Sequence, residues 1–221
     1  MKTLLKLLSL LLPWPLRRML LIRFLDYQIH PTAVIGWAWI FPRLLVMEEH
    51  SRIGHLTVCK GLDLLHLGRH AVIGRLNWIT GFPRDDTSFF EHETDRDPKL
   101  VLGDHSAISN RHLIDCTASV TFGSFCILAG FRSQILTHSI DIKECRQSSA
   151  PVTIGNYCFI GTDTVILGGS DLPNYSVVGA KSLVNKKLEE EHMLYGGVPV
   201  KPLRKLSMDY KYFNRTVGFV H

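Results

Sequence analysis

Among the eleven histidines of this 221-residue chain, His138 in THSID (residues 137–141) stands where a polar stretch opens between two regular ones. A neutral imidazole, with an unperturbed pKa of about 6.5, can accept a proton at neutral pH. It does so reliably only when its other nitrogen is held by a carboxylate or carbonyl that fixes the tautomer. Asp141 is the nearest such group in sequence, and Asp115 in NRHLIDC is a second that folding could bring close. Asn110 precedes His138 by 28 residues. A lone histidine is more often structural than reactive, so the elements around it decide.

Metal and thiol chemistry are weaker readings. His66, His70, His105 and His112 have spacings that match no recognised ligand set, and no metal is expected. The five cysteines, Cys59, Cys116, Cys126, Cys145 and Cys158, are odd in number and form no CxxC pair. That favours a reducing compartment over a disulfide framework.

The elements that must position His138 declare themselves after Pro151. In PVTIGNYCFIGTDTVILGGSDLPNYSVVGAKSLV the aliphatics Ile154, Ile160, Ile166, Leu172, Val178 and Val184 recur every six residues. Four residues after each of the first five stands a small one: Cys158, Thr164, Ser170, Ser176 and Ser182. A helix of period 3.6 cannot keep that repeat on one face, and a plain strand has no special sixth position. A chain that turns a corner every six residues can. Three sides close a triangular coil of about eighteen residues, whose stacked sides pair as parallel strands about 4.8 Å apart.

The spacing returns upstream at Leu102, Ile108, Ile114 and Val120, at Leu67, Ile73 and Ile79, and at Ile35 and Ile53. Phe122 and Leu128 resume the frame after a two-residue shift placed after Val120. Residues 81–99, with six carboxylates, and residues 138–150 leave the frame as loops, the first read as a solvated one. The expected domains are therefore residues 1–29 as an amphipathic leader, 30–206 as the solenoid, and 207–221 as an extension covering the last coil.

Charge is concentrated at the front. Residues 1–27 hold Lys2, Lys6, Arg17, Arg18 and Arg23 against Asp26 alone, which accounts for most of the net +5. The body lacks a basic stripe, so a nucleic-acid partner is not expected. The longest uncharged run of the leader, Leu7 to Leu16, is ten residues and holds Pro13 and Pro15, too short to span a bilayer. No small-residue cleavage site follows it. An interfacial anchor and a helix packed on its own domain remain, with the cations beside Leu20, Leu21 and Phe24 favouring membrane contact.

The hexads, the THSID loop and the closing YGGVPVKPLRKL resemble the bacterial hexapeptide-repeat acyltransferases, in particular sugar O-acetyltransferases similar to the galactoside and maltose enzymes, over roughly residues 30–206. The resemblance implies an all-β, left-handed parallel β-helix assembled as a homotrimer. It implies acetyl-coenzyme A as acyl donor and a saccharide hydroxyl as acceptor, on a cell-surface polysaccharide or a lipid-linked precursor. His138 matches the loop histidine that takes the acceptor's proton, and Asn110 an asparagine at the acceptor site, with Arg132 and Ser133 bordering the same groove. For the donor it implies Gly161, Thr162, Ala180, Lys186, Lys201 and Arg204, while Phe159 replaces a tryptophan of some relatives.

Three alternatives stay open. A serine-acetyltransferase-like enzyme would share donor and base, but normally brings a long helical front domain. Another small-molecule acyltransferase would differ only in its acceptor. A catalytically inactive β-helix scaffold would bind no acetyl-coenzyme A. The expected location is cytoplasmic, peripheral on the inner face of the membrane if the leader binds lipid.

Overall fold

The computed structural model describes residues 2–86 and 88–220, and the side chains of these beyond residue 5. Met1, Thr87, His221 and the side chain of Lys2, which belong to the leader, loop and extension named above, lie outside the described residues. The chain winds into a left-handed parallel β-helix. Among the described residues three long sheets of seven, nine and seven strands form the faces of the prism, and consecutive strands fall on successive faces.

The register confirms an eighteen-residue coil where the hexads are regular. Ile154 pairs with Leu172, Ile160 with Val178 and Ile166 with Val184. All six of these side chains are buried in one continuous core, with the small residues Cys158, Thr164, Ser170, Ser176 and Ser182 buried at its corners. Upstream, Ile35 pairs with Ile53, and Leu67, Ile73 and Ile79 pair with Leu102, Ile108 and Ile114.

Some coils are longer. Leu102 pairs with Phe122, a step of twenty residues. The extra residues lie before Val120 rather than after it, in the corner at Asp115–Ser119, since Val120 already pairs with Leu100 on the first face. That corner carries the site described below.

Two excursions interrupt the winding at the edge between the third and first faces. One runs from Thr80 to Lys99, where the next first-face strand, Lys99–Leu102, begins. The other is an antiparallel hairpin, His138–Asp141 against Arg146–Ser149.

Both ends of the solenoid are covered. At the front, α1 (Lys2–Ser9) is followed by α2 (Trp14–Leu25), which starts with Pro13 at its N-cap and stops at Asp26 in a left-handed conformation. Leu21 is buried in the core, and Arg17 donates to the Gly36 and Ala38 carbonyls at 2.9 and 2.6 Å. Arg18 donates to the Ile29 carbonyl at 2.8 Å. Two of the leader's arginines therefore satisfy carbonyls of the first coil, Arg17 at the corner Gly36 and Ala38 and Arg18 in the strand at Ile29, at what would otherwise be an open end.

At the other end, Met193–Gly196 adds to the second face and Lys201–Lys205 returns antiparallel to it. The remaining tail does more than cover the last coil. It runs back along the edge between the first and second faces, where His50, His70, His105, Phe125, Tyr157 and Tyr175 each adopt a positive φ and stack ring on ring at 4.6–5.6 Å. Phe213 packs edge-on to Tyr175, Arg215 lies 3.8 Å from the Tyr212 ring and donates to the Phe125 carbonyl, and Gly218 reaches His105.

Candidate acyl-transfer site

The long corner after Ile114 and the strand that leaves the prism at Thr137 meet on one carboxylate. Asp115 is buried, and its Oδ2 accepts from Thr137 N–H at 2.9 Å, Thr137 Oγ1 at 2.6 Å and His138 N–H at 3.1 Å. Its Oδ1 accepts from Thr117 Oγ1 at 2.7 Å. Within this set His138 Nδ1 lies 2.8 Å from Asp115 Oδ2.

Electrostatics follow from that geometry. Burial pushes the Asp115 carboxyl upward, but the hydrogen bonds from His138, Thr137 and Thr117 outweigh it and hold it below the usual carboxylate range. The Asp115 hydrogen bond raises His138 above the ordinary histidine value, against the opposing pull of burial. An ionised carboxylate accepting at Nδ1 places the neutral ring's proton there and leaves Nε2 as a lone-pair acceptor. The His138 side chain remains about a third exposed.

Asp141 does not orient the ring. Its Oδ1 accepts from the Lys143 and Glu144 N–H groups at 2.9 and 3.1 Å, closing the hairpin turn. Sequence proximity favoured Asp141, but an extended strand carries the chain away from His138, whereas the solenoid stacks Asp115 one coil below it.

The acidic loop is part of the site and not merely solvated. Phe82 and Phe90 stand edge-on to the imidazole with centroids at 5.9 and 6.1 Å. Arg96 is buried and donates to the carbonyls of Phe82, Pro83, Asp86 and Thr117, while its guanidinium lies 4.3 Å from the Phe90 ring. Glu93 accepts from the Ser149 N–H and hydroxyl at 2.8 and 2.5 Å, tying the loop to the hairpin. A basic side chain serving carbonyls leaves no pattern in sequence.

The other candidates divide between edges. Asn110, Arg132, Ser133, Gly161, Thr162 and Ala180 all lie at the edge between the second and third faces, one face away from His138 in the same chain. Asn110 Oδ1 accepts the Arg75 N–H at 2.7 Å beside a cavity of about 420 Å³ that Phe131 also lines. Thr162 Oγ1 donates to the Phe131 carbonyl, Arg132 faces Asp163, and Ser133 is buried. Gly161 is fixed by packing, because a Cβ there would come within 2.6 Å of Ala180 N. Lys201 pairs with Gly196 near this edge, Arg204 pairs with Leu194 on the second face, and Lys186 follows the last third-face strand. Lys186, Lys201 and Arg204 are exposed.

The four histidines weighed as metal ligands have structural partners. His112 bridges Ser109 Oγ and Ser133 N–H and burial pushes its pKa down to about 4, His66 meets Glu48, and His70 and His105 belong to the ring stack.

No family model matches the sequence, and no curated protein matches it. Solved structures do. A hexapeptide-repeat acetyltransferase of Vibrio cholerae O1 biovar eltor, complexed with acetyl coenzyme A, is 24% identical over 64% of this chain and 71% of its own, with a TM-score of 0.51. The N-acyltransferase AntD of Bacillus cereus, solved with dTDP-4-amino-4,6-dideoxyglucose and coenzyme A, is 15% identical over 81% and 84%, with a TM-score of 0.53. The polySia-specific acetyltransferase NeuO is 16% identical over 81% and 80%, with a TM-score of 0.50.

This chain has the hexapeptide-repeat fold. At these identities the likeness is one of architecture, and the chemistry rests on the residues.

Proposed function

We propose that this protein transfers an acetyl group from acetyl-coenzyme A to a saccharide hydroxyl, with His138 as general base. The observation that carries the reading is the 2.8 Å contact between His138 Nδ1 and buried Asp115. It sets the tautomer in which Nε2 can take a proton from an acceptor hydroxyl. His138 removes that proton as the acceptor oxygen attacks the thioester carbonyl carbon, and returns it to the coenzyme's sulfur when the C–S bond breaks. Direct transfer of this kind needs no acyl-enzyme.

The edge bearing Gly161, Thr162 and Ala180 fits an extended donor arm, because its residues are small and Lys201 adds a cation nearby for phosphate. That edge and His138 lie one face apart in a single chain. A homotrimer, setting the His138 edge of one subunit against the Gly161 edge of the next, would complete the site and bring Asn110 to the acceptor. The unpaired cysteines support a cytoplasmic location.

Labelled acetyl-coenzyme A should be turned over with one member of a panel of polysaccharide precursors, including amino sugars, by the wild-type protein and not by His138→Ala. Absence of donor binding by calorimetry would favour the inactive scaffold.

A further inference from the structure

Helix α2 buries Leu21 together with a charged residue and leaves four of its apolar side chains exposed. It buries Arg17, 3% exposed, and leaves Met19 63% and Phe24 58% exposed. Leu16 and Ile22 are exposed on the same outward side, where the single charge is Arg23. A helix on a soluble protein normally does the reverse. Leu7, Leu8 and Leu11 of the preceding turn are exposed as well, and Trp37, at the adjoining corner of the first coil, is 59% exposed beside a cleft lined by Leu10, Trp39 and Leu56.

The position of this apolar surface matters as much as its composition. Arg17 reaches carbonyls after the second-face strand Val34–Ile35 while Arg18 reaches the first-face strand at Ile29, so α2 lies across the end of the prism. Its outward side is the solenoid's front end. Residues 1–25 contain no acidic residue, so the charge of this segment is entirely basic, and Arg23 is exposed.

We propose that the solenoid docks end-on to an anionic lipid bilayer, with the exposed side chains of α1 and α2 entering the interface and Trp37 at its rim. Interfacial burial of apolar side chains together with attraction of cations to acidic headgroups is the combination that holds peripheral helices. A second copy of this end is the poorer occupant, because its cations would meet cations and no carboxylate of residues 1–25 could pair with them. No helix among the described residues is long and apolar enough to cross a membrane, so the contact is with one leaflet. His138 leaves the fifth coil; four coil spacings of about 4.8 Å put it roughly 19 Å above the first coil. Resting on the proposed acyl transfer, this height suits an acceptor sugar carried on a lipid and projecting from the surface.

The full-length protein is sedimented with vesicles of phosphatidylethanolamine and phosphatidylglycerol, and with phosphatidylcholine vesicles. Wild type should pellet with the anionic vesicles, and Met19→Glu/Ile22→Glu should lose at least about tenfold in partitioning. Arg23→Glu, at an exposed position whose ring contact is with Phe24, should weaken binding to anionic vesicles and leave the phosphatidylcholine result unchanged. Both variants should bind coenzyme A as wild type does, which separates this proposal from the catalytic one. Wild type remaining in the supernatant, equal binding by the double variant, or a change in its oligomeric mass without a change in vesicle binding would overturn it.

Discussion

Asp115 Oδ2 lies 2.8 Å from His138 Nδ1 although 23 residues separate them, because one is placed at a long corner of the fourth coil and the other at the exit from the fifth. The carboxylate is satisfied by two threonine hydroxyls and three backbone N–H groups before the ring is counted. It is fixed, and the imidazole is fixed to it.

If His138 is the base, removing it should cost catalysis while leaving donor binding in place. His138→Ala is expected to lower kcat by roughly 10²- to 10⁴-fold, with coenzyme A affinity unchanged in calorimetry, since the proposed donor residues Gly161, Thr162 and Ala180 lie on another edge of the chain.

Asp115→Asn separates orientation from proton affinity. The raised pKa of His138 places the acid limb of the rate profile above the ordinary value of 6.5, because protonated imidazole cannot act as base. Without the carboxylate the limb should move to lower pH while the maximal rate falls, read from kcat against pH.

The same pair makes stability depend on pH. His138, raised in the folded state, contributes stability below its unfolded pKa of about 6.5 that is lost as pH rises through its folded value. Asp115, depressed in the folded state, contributes stability above about 3.9 that is lost as pH falls through its folded value. Urea midpoints should show the largest gap between wild type and Asp115→Asn between those limits.

Arg96 holds the aromatic wall of the site. Arg96→Ala leaves four carbonyls without their donor and should loosen the loop by about 2–3 kcal/mol. Hydrogen exchange should quicken over residues 82–97 with the late coils unaffected, and KM for the acceptor should rise.

The late coils were legible because large and small side chains alternate there with a period that neither a helix nor a flat strand can hold. Earlier coils were harder to read where corners gain residues, as between Ile114 and Phe122. The sequence singles out His138 from its place at a loop mouth and offers Asp115 beside Asp141 as its partner, without deciding between them. Asp115 lies one coil away, and that distance depends on the corner length that the hexads obscure. Inserts of unequal length likewise hid the stacking of His50, His70 and His105, which have no common spacing along the chain.

Phe213 tests the returning tail. It is buried against Tyr175, His192 and Tyr212, and Phe213→Ala should cost about 3–5 kcal/mol by denaturant titration.

Solenoids whose turns touch only their neighbours tend to fray from either terminus. Here the tail clasps several rungs at once, from Tyr175 down to His105, so the upper turns cannot peel away singly without dragging the clasp off those beneath. Unwinding should consequently be a concerted event across the rungs that bear His138, keeping that ring's surroundings intact until the whole stack gives way.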